Sequence, residues 1–151
     1  MNELARALDM EETIASSYPK MISKSSDAEL RGIFRALLRE TETHIVKLKR
    51  ILRDQGSETC KVSRALASGT EDLMKDVTDR HALDIALTSA AQQMAHHQIA
   101  IFRTLKSWAL VLGHSEATLV LGNLQADGQS AGQALSLIIE RLNVQAPAIA
   151  A

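Results

Sequence analysis

From Arg80 to Leu112 the chain runs without a glycine or a proline. Placed on a helix at about 100° per residue, Leu87, Ala91, Met94, Ala95, Gln98, Phe102, Leu105 and Ala109 share one face. No strand arrangement accommodates such a run, because strands alternate with period two and are punctuated every few residues. A core-facing helix is therefore required, and it must find partners for its apolar stripe. The rest of the chain supplies them. Only 7 glycines, 2 prolines, 1 Tyr and 1 Trp occur in 151 residues, and Ala, Leu, Glu, Gln, Lys and Arg dominate. These are helix formers, so the fold class is all-α.

The segments can be placed by their punctuation. A first helix is predicted from about Asn2 to Lys24, with Leu4, Leu8, Glu11, Ala15, Tyr18 and Ile22 on one stripe. Pro19 should kink or break it. "SKSSD" reads as a turn, with Ser26 or Asp27 capping a second helix from about Ala28 to Gln55. Gly56 is its natural stop. A short helix is expected at Glu58 to Ala67, and "SGTEDLMKDVTD" reads as partly helical. The long run ends at Gly113. Ser115 is positioned to cap a last helix reaching about Asn143. The expected organisation is one bundle domain over residues 1–144 and a flexible tail over 145–151.

Composition excludes several classes. The net charge is -1, with Lys and Arg scattered among Asp and Glu, so no nucleic-acid face is expected. No apolar run approaches the ~20 residues that span a bilayer, and no signal peptide is read at the N-terminus. One cysteine, Cys60, rules out an internal disulfide, and a cytoplasmic setting is expected.

Candidate chemical groups are few. His96 and His97, in "AAQQMAHHQIA", fall on opposite flanks of the core stripe and cannot converge on one ion. Cys60 has no His or Asp near it in sequence and reads as buried packing. Glu40 and His44, at i and i+4, read as an exposed helix-surface pair. Trp108 is expected in the core or at a dimer interface. There is no phosphate loop and no nucleophile elbow, and no catalytic residue is expected.

Several stretches together resemble the ferritin-like stress-protein family of YciE/YciF type. "EETIASSYPKM" is similar to its first-helix segment, with an acid eight residues before a Pro-Lys pair. "LLRETETHIVKLKRIL" is similar to its second helix, and "ETCKVSRAL" to its cysteine-containing short helix. "LDIALTSAAQQMAHHQIAIFRTL", with a following "LG", resembles its third bundle helix. The resemblance implies a ferritin-like four-helix bundle with an additional short helix between the two hairpins, paired as a homodimer. It also implies a carboxylate-rich site for two metal ions.

Carried over residue by residue, that ligand set is degenerate. Glu11 is present. The second-helix pair falls on Arg39 and Glu42, the third-helix pair on Ala95 and Gln98, and the last-helix acids on Gly128 and Gly132, with Asp127 as an alternative. Two carboxylates do not build a two-ion cage, so no metal and no cofactor are expected. An Arg39 guanidinium taking the place of the metal charge between Glu11 and Glu42 is the proposed replacement, with the glycines leaving room for it. In the alternative, Arg39 extends into solvent and the glycines allow close helix packing. The functional expectation is a non-catalytic, stress-associated interaction or structural protein. The second expectation is a metalloprotein that holds iron or another divalent ion weakly, at Glu11, Glu42 and a neighbouring His.

Overall fold

The computed structural model describes residues 2–53 and 56–150, and of residues 146–150 the backbone alone. Among the described residues five helices follow one another: α1 (Asn2–Lys24), α2 (Ala28–Leu52), α3 (Lys61–Asp76), α4 (Arg80–Val111) and α5 (Ser115–Ala150). The short turn between α1 and α2 makes them an antiparallel hairpin, and α4 and α5 form a second and more extensive one. The hairpins join through α2 on α5 and α1 on α4, and α3 lies against α1 and α4. This is the four-helix bundle with a short fifth helix between its hairpins.

Local chemistry sets the helix ends. Asp27 is in extended conformation at the N-cap of α2, and its carboxylate accepts from the Leu30 N–H at 2.9 Å. Asp79 does the same for α4 through Ala82 at 2.7 Å. Gly113, at φ +74, ends α4 as expected.

Four expectations are corrected. Pro19 does not break α1, which continues for five residues beyond it. The stop of α2 is Arg53, held at φ 52 in the left-handed region, and not Gly56. Gln55 lies outside the described residues. The third helix starts at Lys61 and absorbs the polar stretch through Asp76. The last helix continues to Ala150, beyond the expected Asn143, and the side chains of most of the expected tail lie outside the described ones.

The core is a single cluster. All eight stripe residues of α4 are buried, as are Leu8, Met10 and Ile14 of α1 and Phe34 and Leu48 of α2. Full burial of a residue such as Phe34 or Phe102 contributes about 1.5–3 kcal/mol. Tyr18 packs tilted on Phe34, with ring centroids 5.9 Å apart. Gly128 lets α5 approach α4 closely: a Cβ there would stand 3.0 Å from Ile99 Cγ1 and 3.7 Å from the Ala95 carbonyl. Gly132 is buried too, but a Cβ there would meet nothing.

Candidate functional site

In the middle of this apolar core sits a chain of polar groups. On α2 the apolar spacing Phe34, Leu37, Leu48 sets the inward face, and Thr41 and His44 share it. At about 100° per residue, Glu40 lies about 40° from His44, on the flank of that face. Arg39 lies about 140° away and Glu42 about 160° away, so both emerge into solvent, and both are exposed. The expected Arg39 bridge between Glu11 and Glu42 is therefore absent, because two of its three members are on the wrong side of the helix. Reading Glu40 and His44 as a surface pair was also wrong: His44 is 2% exposed.

His44 holds the position expected of Arg39. Its Nδ1 lies 3.0 Å from Glu11 Oε2, and its Nε2 lies 3.0 Å from Asp127 Oδ2. Glu11 comes from α1 and is fully buried. Its other oxygen accepts from the Gln98 amide of α4 at 2.7 Å. Asp127 reaches in from the flank of α5, so it is the acid of that helix that meets the centre, and Gly128 is helix packing. Ala95 is buried beside it and offers no donor. Phe102 meets the imidazole edge to face, with centroids 6.1 Å apart.

The protonation state follows from the contacts. Both ring nitrogens face carboxylate oxygens, and only the imidazolium donates from both. Burial alone would push the His44 pKa down. The hydrogen bond and charge of Glu11, the hydrogen bond of Asp127 and the charge of Glu40 outweigh it, and the pKa is held above its ordinary value. Glu40 is pushed up, first by burial and then by the Asp127 and Glu11 charges, with His44 opposing. Tyr18 is pushed up by burial and by the same two glutamates, so it stays a neutral phenol. The centre is thus three carboxyl groups around one titratable cation.

The donor set can be tested against metal. Both oxygens of Glu11 are already taken by protein donors, and Ala95, Gly128 and Gly132 contribute none. The residues present do not fit a two-ion carboxylate centre. A single ion is a different matter. Ligand atoms of Glu40, His44 and Asp127 lie within 4.8 Å of one another, and these three could close on one divalent ion if Nε2 lost its proton.

His96 is exposed and His97 half-buried, on separate flanks of α4 as expected. Trp108 is 52% exposed and so is not a core residue. Sequence reasoning missed the role of His44 and Glu40, although a signal was there: extending the Phe34, Leu37, Leu48 spacing puts position 44 inside.

A helical bundle of two hairpins and a short bridging helix, with an ionisable centre of Glu, His and Asp, defines the class. The family described as Domain of unknown function (DUF892) matches residues 1–148, and the chain belongs to it. Among characterised sequences it is similar to protein YciF of Escherichia coli K12, with 24% identity over 123 residues, covering 78% of this chain and 74% of the relative. Among solved structures, the E. coli stress protein YciF superposes with a TM-score of 0.90 at 20% identity, over 95% of this chain and 94% of that one. YcfI from Rhodopseudomonas palustris superposes with a TM-score of 0.86 at 24% identity, over 89% and 88% of the two chains. The resemblance to the YciF-type family read from the sequence holds. Among the described residues no helix is long and apolar enough to cross a membrane.

Proposed function

We propose that this chain is a ferritin-like, non-catalytic bundle protein that works by interaction or as a structural element in a stress setting, with its polar centre held by a proton on His44 in place of two metal ions. The observation that carries this is the double contact of His44 with Glu11 and Asp127, closed by Gln98 on the remaining Glu11 oxygen. A proton there supplies the positive charge that the clustered carboxylates need, at no cost in ligands. The stress setting comes from YciF, described as a stress protein, and the structural role from YcfI, proposed to be structural.

We further propose a symmetric homodimer. Trp108, Leu110, Val111, Leu112 and Leu119 are all more than half exposed around the α4–α5 turn, an apolar concentration that a monomer rarely leaves in water. Nucleic acid and membrane are not expected partners, given the scattered charges. The test of the main reading is metal analysis of tag-free protein from cells grown with added iron, manganese and zinc. Metal well below one ion per chain is the expected result, and two tightly held ions would overturn it.

The Glu40, His44, Asp127 arrangement favours a second reading, a mononuclear site that binds iron or another divalent ion weakly. It replaces the Glu11, Glu42 set expected from the sequence, because Glu42 faces solvent. Metal binding would then release the Nε2 proton, so affinity would rise with pH, and His44→Gln would abolish it. Titration of the apo-protein with zinc while following proton release separates the two readings.

A further inference from the structure

Charge is spread unevenly over the two hairpins. The outer side of α2 carries Arg35, Arg39, Glu42 and Lys49, all exposed. On α4 no Asp, Glu, Lys or Arg occurs from Ile85 to Phe102. From Ala117 to Ile139 of α5 the one charged residue is Asp127, and it is turned to His44. Depletion of charge marks the core of an interface between proteins, whereas a helix side left in water normally carries it. Along the outer side of α5 an exposed stripe runs from Leu119 to Val144 in alternate steps of four and three residues. Leu119 and Leu137 are each 69% exposed, and Val144 is 80% exposed. The mean step of about 3.5 residues is the repeat along which two helices pack side by side.

We infer that α5 of one protomer packs antiparallel along α5 of a second copy, about a two-fold axis that passes between positions 131 and 132. This rests on the homodimer proposed above and assigns its interface. The occupant is a second copy because, under that one axis, each position of the stripe meets its complement. Leu119 meets the partner's Val144, apolar on apolar. Ala126 meets the partner's Leu137, small against large, which lets the two helices approach. Asn123 meets the partner's Glu140, and the amide donates to the carboxylate. Ser130 meets the partner's Gln133, and each side chain can donate to the other. Symmetry makes every pair occur twice. A shift by one heptad seats Leu119 on the partner's Leu137 but leaves Val144 and Glu140 outside, so the axis between 131 and 132 is the one that uses the whole stripe. The size is sufficient. From Leu119 to Val144 is about 37 Å along the axis, and a helix about 10 Å across then covers roughly 370 Å². The uncharged outer side of α4 beside it brings the total to roughly 700 Å² per protomer, close to the ~800 Å² of a stable interface.

The wild-type chain tests the geometry without any substitution. Sedimentation at micromolar concentration should give twice the 16.4 kDa of one chain. Small-angle X-ray scattering should then show a particle little longer than one bundle, whose last helix has 36 residues and is about 54 Å long. A dimer of roughly twice that length has its contact at the α4–α5 turn, which leaves the homodimer standing and overturns this interface. A chain that stays monomeric overturns both, and leaves the uncharged face to a different protein. Two substitutions at exposed positions test the register. Ala126→Glu and Leu137→Lys should each weaken dimerisation at least about tenfold, with helix content by circular dichroism unchanged. Positions 126 and 137 lie about 16 Å apart along one helix, so they cannot meet within a chain. Mixing the two variants should restore dimers, because the introduced carboxylate of one chain then faces the introduced amine of the other. Mixtures that stay monomeric overturn the proposal, as does a dimer that Leu137→Lys leaves untouched. The scattering measurement needs no variant to fold.

Discussion

Two acidic clusters hold this bundle together, and they use different cations. At the centre, Glu11 and Asp127 share His44. At the end, around the α1–α2 turn, Asp84 reaches from α4 and accepts from the Ser26 and Asp27 N–H groups at 2.9 and 3.0 Å and from the Ser26 hydroxyl. Beside it, Arg141 of α5 donates to Asp27 at 2.8 Å and lies 3.2 Å from Glu29. Both clusters tie the two hairpins together. The end cluster uses backbone N–H groups and a guanidinium, whose charge does not change with pH. The central one uses an imidazolium, whose charge does. Position explains the choice. A guanidinium has five donors, more than two facing carboxylates can use, and Arg141 is placed where its end meets solvent although its Nε is buried without a partner, whereas imidazolium has two donors and fits between two carboxylates in a dry core.

The two clusters should therefore respond to pH in opposite directions. The folded pKa of His44 lies above its ordinary 6.5, so its stabilisation is fully present below 6.5 and is lost as pH rises through the folded value. Glu40, with its pKa raised, pulls the same way. The Arg141 hydrogen bond holds Asp27 below its ordinary 3.8, against burial, so its stabilisation is present above 3.8 and is lost as pH falls through the folded value.

The sharpest way to break the comparison is His44→Ala. It leaves Glu11 buried without its cation and should cost about 3–5 kcal/mol in urea denaturation near pH 6. The double variant Glu11→Met with His44→Leu should recover most of that loss, because no buried charge is then left unpaired. A single variant as stable as wild-type would show that His44 does not carry the centre. With the milder His44→Gln, the stability gap to wild-type should narrow as pH rises above 6.5 and through the folded pKa of His44. A gap that stays constant over that range would mean that the ring is not protonated in the fold.

Asp84→Ala is the matching cut at the other cluster. It removes the acceptor for three donors and should cost roughly 2–3 kcal/mol. Arg141→Ala, on a partly exposed pair, should cost at most about 1 kcal/mol, with the gap closing only in acid. Arg39→Ala and Glu42→Ala should each stay within about 0.5 kcal/mol of wild-type, as exposed residues of α2 do. A larger loss at Arg39 would reinstate the guanidinium as the central cation.

What the sequence determined by itself is the set of helices and their buried faces. Absence of glycine and proline over Arg80–Leu112, the caps at Asp27 and the stop at Gly113, and the eight-residue stripe of α4 are local properties of backbone and side chain, and they survive in the fold. The need for a cation among the clustered acids was also legible, since Glu11 faces inward whatever surrounds it. Which residue supplies that cation was not. It depends on the rotation of α2, where a shift of two positions exchanges solvent for core, and on α5 bringing Asp127 from 83 positions away. The contact of Cys60 with His97 is of the same kind, made where α3 and α4 meet. Helices form from neighbours within one turn, whereas a polar centre forms from groups on different helices, and only the packed bundle sets the distances between them.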